Sequence, residues 1–196
     1  MKIETAIILC AGYGKRLHPI TLEVPKPLII IKNKSLLLNT IELVANLGIK
    51  KIKLNTYYLA EQIEDFVNKL ENYGKIEIVK DGDEILDTGG GIKNIMKTST
   101  DENFLVLNPD TIWNLGYKKI ILEMIEYYKL KNLNNLLMVA HKSKSYDTRF
   151  DGDFSMNNHI LSKNKKCNYI YTGCQICLLY TSDAADEGLG VDLGGR

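Results

Sequence analysis

The stretch CAGYGKRLHPITLEVPKPLI, residues 10–29, gathers groups suited to holding an anion. Gly12 and Gly14 stand two apart, Lys15 and Arg16 follow at once, and Lys26 comes ten residues after Arg16 between Pro25 and Pro27. Glycines let main-chain N–H groups crowd around phosphate oxygens, and nearby cations neutralise the charge. Two familiar phosphate patterns do not fit. Leu17 stands where the third glycine of a dinucleotide fingerprint belongs, and no acid follows at a second strand end at the right distance. The lysine and hydroxyl of a P-loop are missing in that register. By itself the stretch leaves open an ordinary strand-to-helix turn with solvated Lys15 and Arg16.

Positioning such a loop requires a framework, and the chain supplies one. With 196 residues, 45% of them hydrophobic, it is long enough for one sizeable core. Strand-like and helix-like patterns alternate. TAIILCAG reads as a buried strand, SLLLNTIELVANLG as a helix with Ser35 as N-cap and Gly48 as stop, and IKKIKLNT as the next strand. LAEQIEDFVNKLENYG carries a helical stripe of Ile63, Phe66, Val67 and Leu70 that ends at Gly74, and KIEIVK returns as a strand. A glycine-rich loop DTGGG then leads into IKNIMKTS. NFLVLNPD is a strand ending in Asp110, YKKIILEMIEYYKLK a helix, and NNLLMVAHK another strand. Alternation of this kind predicts an α/β fold: a three-layer, Rossmann-like and mainly parallel sheet with helices on both faces. Beyond residue 145 the texture changes. GDFSMNNHILSK predicts a hairpin around Asn157 and Asn158, and CNYIYTGCQIC a further strand in a mixed or antiparallel extension.

Composition narrows the function classes. There are 25 Lys and Arg against 24 Asp and Glu, a formal charge of +1, which disfavours a broad nucleic-acid-binding face. No apolar run reaches a membrane span and no signal-peptide layout opens the chain, so a cytoplasmic location with no membrane partner is expected. The four cysteines, Cys10, Cys167, Cys174 and Cys177, do not suggest a disulfide framework. Cys174 and Cys177 interrupt an apolar strand, which favours core thiols over a zinc site formed with Cys167 and His159. The last stretch departs from the bias of the body and lacks a periodic apolar face. It reads as a foreign tail over 178–196, attached to a domain over 1–177.

The motifs taken together carry more than any one of them. AGYGKRLHPITLEVPKPLI resembles the signature of the sugar-phosphate nucleotidyltransferases: glycine-x-glycine-x-arginine, a linker with proline and threonine, then proline-lysine-proline. LNTYYLAEQIEDFV, ILDTGGGIKNIM, LVLNPDTIW, GDFSMNNHILS and YIYTGCQI follow in that family's order, over roughly residues 2 to 176. The triple glycine after Thr88 and the NPDTIW strand end look most like the N-acetylmuramate 1-phosphate uridylyltransferase branch, with mannose 1-phosphate guanylyltransferases as near relatives.

That resemblance implies a reaction in which a sugar 1-phosphate oxygen attacks the α-phosphorus of a nucleoside triphosphate, expected to be UTP, and pyrophosphate leaves. Both reactants are anions, so their repulsion must be cancelled. It implies catalytic roles for Arg16, Lys26 and Asp110. Arg16 suits the triphosphate, and Lys26 suits the oxygens near the attacked phosphorus. Ala11, Gly12, Gly14, Lys15, Arg16, Thr88, Gly89 and Gly90 are expected against the nucleotide. Lys26, Gly152, Asp153, Thr172 and Gly173 are expected against the sugar phosphate. Asp110 would hold Mg²⁺, with a second aspartate expected beyond the end of a C-terminally truncated chain. Pro109 departs from the glycine usual before this acid. The histidines receive no role, because the nucleophile is already an anion. Two other classes remain: a nonenzymatic nucleotide-binding module, told apart by pyrophosphate release, and a dinucleotide-dependent oxidoreductase, told apart by nicotinamide binding. Oligomeric state is left open.

Overall fold

The computed structural model describes residues 2–149, 151–163 and 167–179. The tail expected over 178–196 lies outside them from residue 180 onward. Strand β1 (Thr5–Leu9) is followed by a short α1 (Ile20–Glu23) and a two-residue ribbon of β2 (Ile30–Ile31) and β3 (Lys34–Ser35). Then come α2 (Leu36–Asn46), β4 (Lys51–Thr56), α3 (Ala60–Asn68), β5 (Lys75–Lys80), α4 (Thr88–Met96), β6 (Asn103–Leu107), α5 (Lys118–Leu130) and β7 (Asn135–His141). A hairpin of β8 (Ser155–Asn157) and β9 (Ile160–Ser162) precedes β10 (Tyr169–Leu178). Six strands form one sheet in the order β5-β4-β1-β6-β10-β7. The first four are parallel, and β10 runs antiparallel to both β6 and β7, so the expected mixed extension is present.

Alternation along the central strands explains both covered faces. Ala6, Ile8, Leu105 and Leu107 point to one side, where α2, α3 and α5 bring Leu37, Ile41, Ile63, Ile121 and Ile125. Ile7, Phe104, Val106 and Cys177 point to the other, where α4 brings Ile92, Ile95 and Met96. A two-residue period with both sets apolar is the pattern of a strand buried between layers. Cys10 and Cys174 lie in the larger cluster and Cys177 in the smaller, as expected of core thiols. Burial pushes the Cys174 and Cys177 thiols up to about 12. β10 continues to Leu178, and Leu179 packs on the smaller cluster, slightly past the expected domain boundary. Among the described residues no helix is long and apolar enough to cross a membrane.

Local signals fix the elements. Ser35 caps α2 by accepting from the Leu38 N–H at 3.1 Å, and Gly48 adopts φ +79° after its last turn. Three boundaries differ from expectation. α3 stops at Asn68, and Gly74 instead starts β5: its φ is +82°, and a Cβ there would lie 2.5 Å from the Lys50 carbonyl oxygen. That carbonyl receives the Lys75 N–H at 2.9 Å, so the close approach sets the β4–β5 register. The hairpin turns at Asn158 and His159, both with positive φ, because Asn157 pairs with Ile160. The glycine-rich loop is the first turn of α4. Asp87 caps it, accepting from the Gly90 N–H at 2.6 Å.

Candidate active site

Open parallel sheets take ligands beyond the carboxyl ends of their strands, where the chain departs in opposite directions from two neighbours. Here those neighbours are β1, which leads out to β4, and β6, which leads out to β10 and β7. The residues after β1 and β6 are the glycine-basic loop and Asp110.

Gly14 stands in the left-handed region at φ +64°. Its bare Cα is needed twice, since a Cβ would sit 3.0 Å from Thr21 Cγ2 and 3.2 Å from Lys26 Cβ. Thr21 is fully buried, and its hydroxyl donates to the Gly14 carbonyl at 2.9 Å. The Tyr58 hydroxyl donates to the Thr21 carbonyl at 2.9 Å, tying this turn to the end of β4. Gly12 is different. It is exposed, its φ is not positive, and a Cβ there would meet nothing within 4 Å. Nothing in the protein's own packing asks for glycine at that place.

Lys26 opens a single 3-10 turn whose flanks are fixed by Pro25 and the buried Pro27. From this mount its Nζ reaches Asp110 Oδ2 at 2.6 Å, across 84 residues of sequence. The lysine side chain is 26% exposed and the aspartate 40%, so the pair stands at a wet opening. Asp110 Oδ1 takes no hydrogen bond among the described residues, and Asp110 belongs to no cluster of three metal-type ligands there. Lys15 and Arg16 are exposed; Lys15 Nζ lies 5.0 Å over the Tyr13 ring.

The Asp110 loop is held from β10. Gly173, at φ +82°, sits in a bulge where pairing with β7 shifts between Tyr171 and Gln175. Its carbonyl accepts from the Asn108 N–H at 2.8 Å, and a Cβ on it would come 2.9 Å from Thr111 Oγ1. The Thr111 hydroxyl donates to the Thr172 carbonyl, and the Trp113 indole N–H to the Asn108 carbonyl at 2.9 Å. The Thr172 hydroxyl is itself committed to the Met138 carbonyl at 2.8 Å. Gly152, at φ +83°, packs against the Cys167 carbonyl, and Asp153 Oδ2 accepts from the Tyr171 N–H at 2.8 Å. These four expected sugar contacts therefore all have framework partners.

Thr88, Gly89 and Gly90 form the first turn of α4, whose N–H groups have no partner within the helix, and Asp87 already takes that of Gly90. Gly91, the third glycine of the run, faces inward: a Cβ there would lie 2.8 Å from Asn55 Nδ2. Sequence reasoning missed Asn55, Asp81 and the aromatic group of Tyr13, Tyr57 and Tyr58. The signal available was polar Asn55 and Thr56 closing the strand KIKLNT, followed at once by Tyr57 and Tyr58. Tyr57 stands edge-on to Tyr13 at 6.0 Å, and Tyr58 is tilted against the same ring at 5.1 Å. The site thus combines an open glycine loop, two exposed cations, a rigidly mounted lysine and one accessible carboxylate.

Comparison with known proteins places the chain in a family. Residues 5–147 match the family described as nucleotidyl transferase. The chain is 37% identical over 120 residues to a mannose-1-phosphate guanylyltransferase catalytic subunit beta of Drosophila melanogaster, covering 59% of this chain and 32% of that protein. It is 37% identical over 126 residues to mannose-1-phosphate guanyltransferase 2 of Candida glabrata, covering 63% and 34%. The chain thus spans about a third of the length of these curated relatives. Among solved structures, the fold is shared with a UDP-glucose pyrophosphorylase complexed with UDP-glucose, at a TM-score of 0.76 and 17% identity over 95% of this chain and 80% of that one. HddC from Yersinia pseudotuberculosis, complexed with GMP-PN, gives a TM-score of 0.68 and 24% identity over 91% and 78%.

Proposed function

Because the chain belongs to the nucleotidyl transferase family, we propose that it forms the catalytic core for transfer of a nucleoside monophosphate from a nucleoside triphosphate to a sugar 1-phosphate. The observation that carries this reading is Lys26 Nζ at 2.6 Å from Asp110 Oδ2, in front of a glycine loop at the sheet's switch point. A cation and an acid so placed suit a reaction between two anions.

In this reaction a sugar 1-phosphate oxygen forms a bond to the α-phosphorus, and the bond from that phosphorus to the bridging oxygen breaks. Pyrophosphate carries away the electron pair. No base is required. The N–H groups of Ala11 to Gly14 take triphosphate oxygens, and the openness of Gly12 supports a close approach there. Arg16 and Lys15 meet the triphosphate, while Lys26 leaves Asp110 for the oxygens of the attacked phosphorus. Asp110, with Oδ1 open and 40% of its side chain exposed, fits Mg²⁺, which is commonly held by one or two carboxylates plus phosphates and water. When bound, Mg²⁺ would offset triphosphate charge. Thr88 to Gly90 face the nucleobase. Gly152, Asp153, Thr172 and Gly173 act toward the sugar by holding the backbone that borders it, given their framework bonds.

Two substrate pairs have specific support. Both curated relatives described above are named for mannose 1-phosphate and guanylyl transfer, which favours GTP with mannose 1-phosphate. The Thr88 glycine run favours UTP with N-acetylmuramate 1-phosphate, but Gly91 has a packing cause of its own in Asn55. We therefore place the guanylyl pair first. Initial rates of pyrophosphate release with each sugar 1-phosphate against all four triphosphates test this. A preference for UTP with N-acetylmuramate 1-phosphate would reverse the order, and absence of sugar-dependent release would remove the function.

A further inference from the structure

Behind the glycine loop lies a polar assembly that the phosphate chemistry does not use. Asn55 is 3% exposed and Asp81 is 8% exposed, at the carboxyl ends of β4 and β5. Asn55 Oδ1 accepts from the Cys10 N–H at 2.9 Å, just before the loop begins. Its Nδ2 donates to the Asp81 carboxylate, at 3.0 Å from Oδ2 and 3.2 Å from Oδ1. Close by, the Asn94 amide of α4 donates to the Lys80 carbonyl at 3.1 Å, so the end of β5 is tied to α4 beyond Thr88 as well. Burial raises the Asp81 carboxyl above its ordinary value, outweighing the opposite pull of the Asn55 amide and neighbouring polar groups. Gly91 closes the assembly by leaving room for Asn55.

An outer tier repeats the connection. Tyr57 sets its edge against Tyr13 of the glycine loop and donates its hydroxyl to the Asp83 carbonyl at 3.3 Å. The end of β4 therefore touches two segments at two depths: residues 10–14 and residues 81–91. A buried carboxylate is costly unless it is paired, and well-packed apolar groups often serve stability as well. What Asn55 adds is direction, since one planar amide fixes an acceptor toward Cys10 and a donor toward Asp81.

Building on the nucleotide site described above, we propose that Asn55 and Asp81 are positioning residues that set the separation between the glycine loop and residues 82–91, and so control affinity for the nucleoside end of a nucleoside triphosphate. Affinity for the phosphate chain alone stays with the loop N–H groups, Arg16 and Lys26. Asn55→Asp keeps the shape but replaces the donor facing Asp81 with a second acidic oxygen. Asp81→Asn keeps the shape but removes the charge and one of the two acceptor oxygens that face Asn55 Nδ2.

Calorimetric binding of GTP, UTP and inorganic tripolyphosphate, each with Mg²⁺, to the full chain tests this without turnover. In Asn55→Asp the preferred nucleotide should bind about 10-fold more weakly, the loss of one charge-assisted hydrogen bond, with tripolyphosphate within about 2-fold of the parent. Asp81→Asn should show the same selective loss, and it carries the test if melting shows that Asn55→Asp does not fold. Equal weakening of nucleotide and tripolyphosphate in folded variants would reduce the pair to a general structural role and overturn the proposal. Unchanged nucleotide binding would overturn it as well. If the unaltered protein binds no triphosphate, the nucleotide site itself is wrong and the inference falls with it.

Discussion

Lys26 Nζ and Asp110 Oδ2 lie 2.6 Å apart, so the two residues proposed to act on phosphate and on metal neutralise each other's charge. Under the proposed mechanism each exchanges that partner for phosphate or metal. Removing the lysine removes charge stabilisation at the reacting phosphorus, on the scale of about 3 to 4 kcal/mol, or roughly 10²- to 10³-fold in turnover. Lys26→Ala should therefore lower kcat by that factor with little change in melting temperature. Mn²⁺ binding without nucleotide, followed by electron paramagnetic resonance, should tighten, because a competing cation has left Asp110.

Gly12 and Gly14 should respond differently to the same change. Gly14→Ala puts a Cβ at φ +64° and 3.0 Å from Thr21 Cγ2, so stability should fall by at least about 1 to 2 kcal/mol, the scale of left-handed strain. Gly12→Ala meets nothing within 4 Å and should leave the melting temperature nearly unchanged while weakening triphosphate binding. Melting curves and calorimetry on both variants check the pair together.

Acid stability should depend on Glu77. Hydrogen bonds from Lys53, at 2.6 Å, and from Lys75 hold its carboxyl down to about 2 from an ordinary 4.5. A depressed carboxyl stabilises the fold fully above its unfolded value, and that contribution is lost as the pH falls toward the folded one. The stability gap between the parent and Glu77→Gln should be widest near neutral pH and narrow between about pH 5 and pH 2. Urea unfolding across that range measures it, and a gap that widens on acidification would contradict the assignment.

Much of the framework was legible because short-range rules carry it. Ser35, Gly48 and the apolar alternation of TAIIL and NFLVL fix α2, β1 and β6 without help from distant residues. Glycine's poor helix propensity made DTGGG read as a loop, yet the Asp87 cap and the space that Gly91 leaves for Asn55 place those glycines in a helix. Of the candidate site, Lys26 and Asp110 were found separately by their motifs, and their contact comes from sheet order. Asn55 with Asp81 and Thr111 with Thr172 were not legible. The first arises only when the ends of β4 and β5 pair side by side, and the second only when the bulge of β10 meets the loop after β6.

The most direct test is pyrophosphate release from a nucleoside triphosphate and a sugar 1-phosphate, followed against Mg²⁺ concentration for the parent protein and for Asp110→Asn. That substitution keeps shape while removing the anion that would fix the metal. The expected result is sugar-dependent release by the parent, with both turnover and apparent Mg²⁺ affinity sharply lower in a variant that melts normally. A well-folded Asp110→Asn protein with near-normal turnover and an unchanged Mg²⁺ dependence would contradict the assignment of Asp110 and, with it, the chemical basis of the proposed transfer.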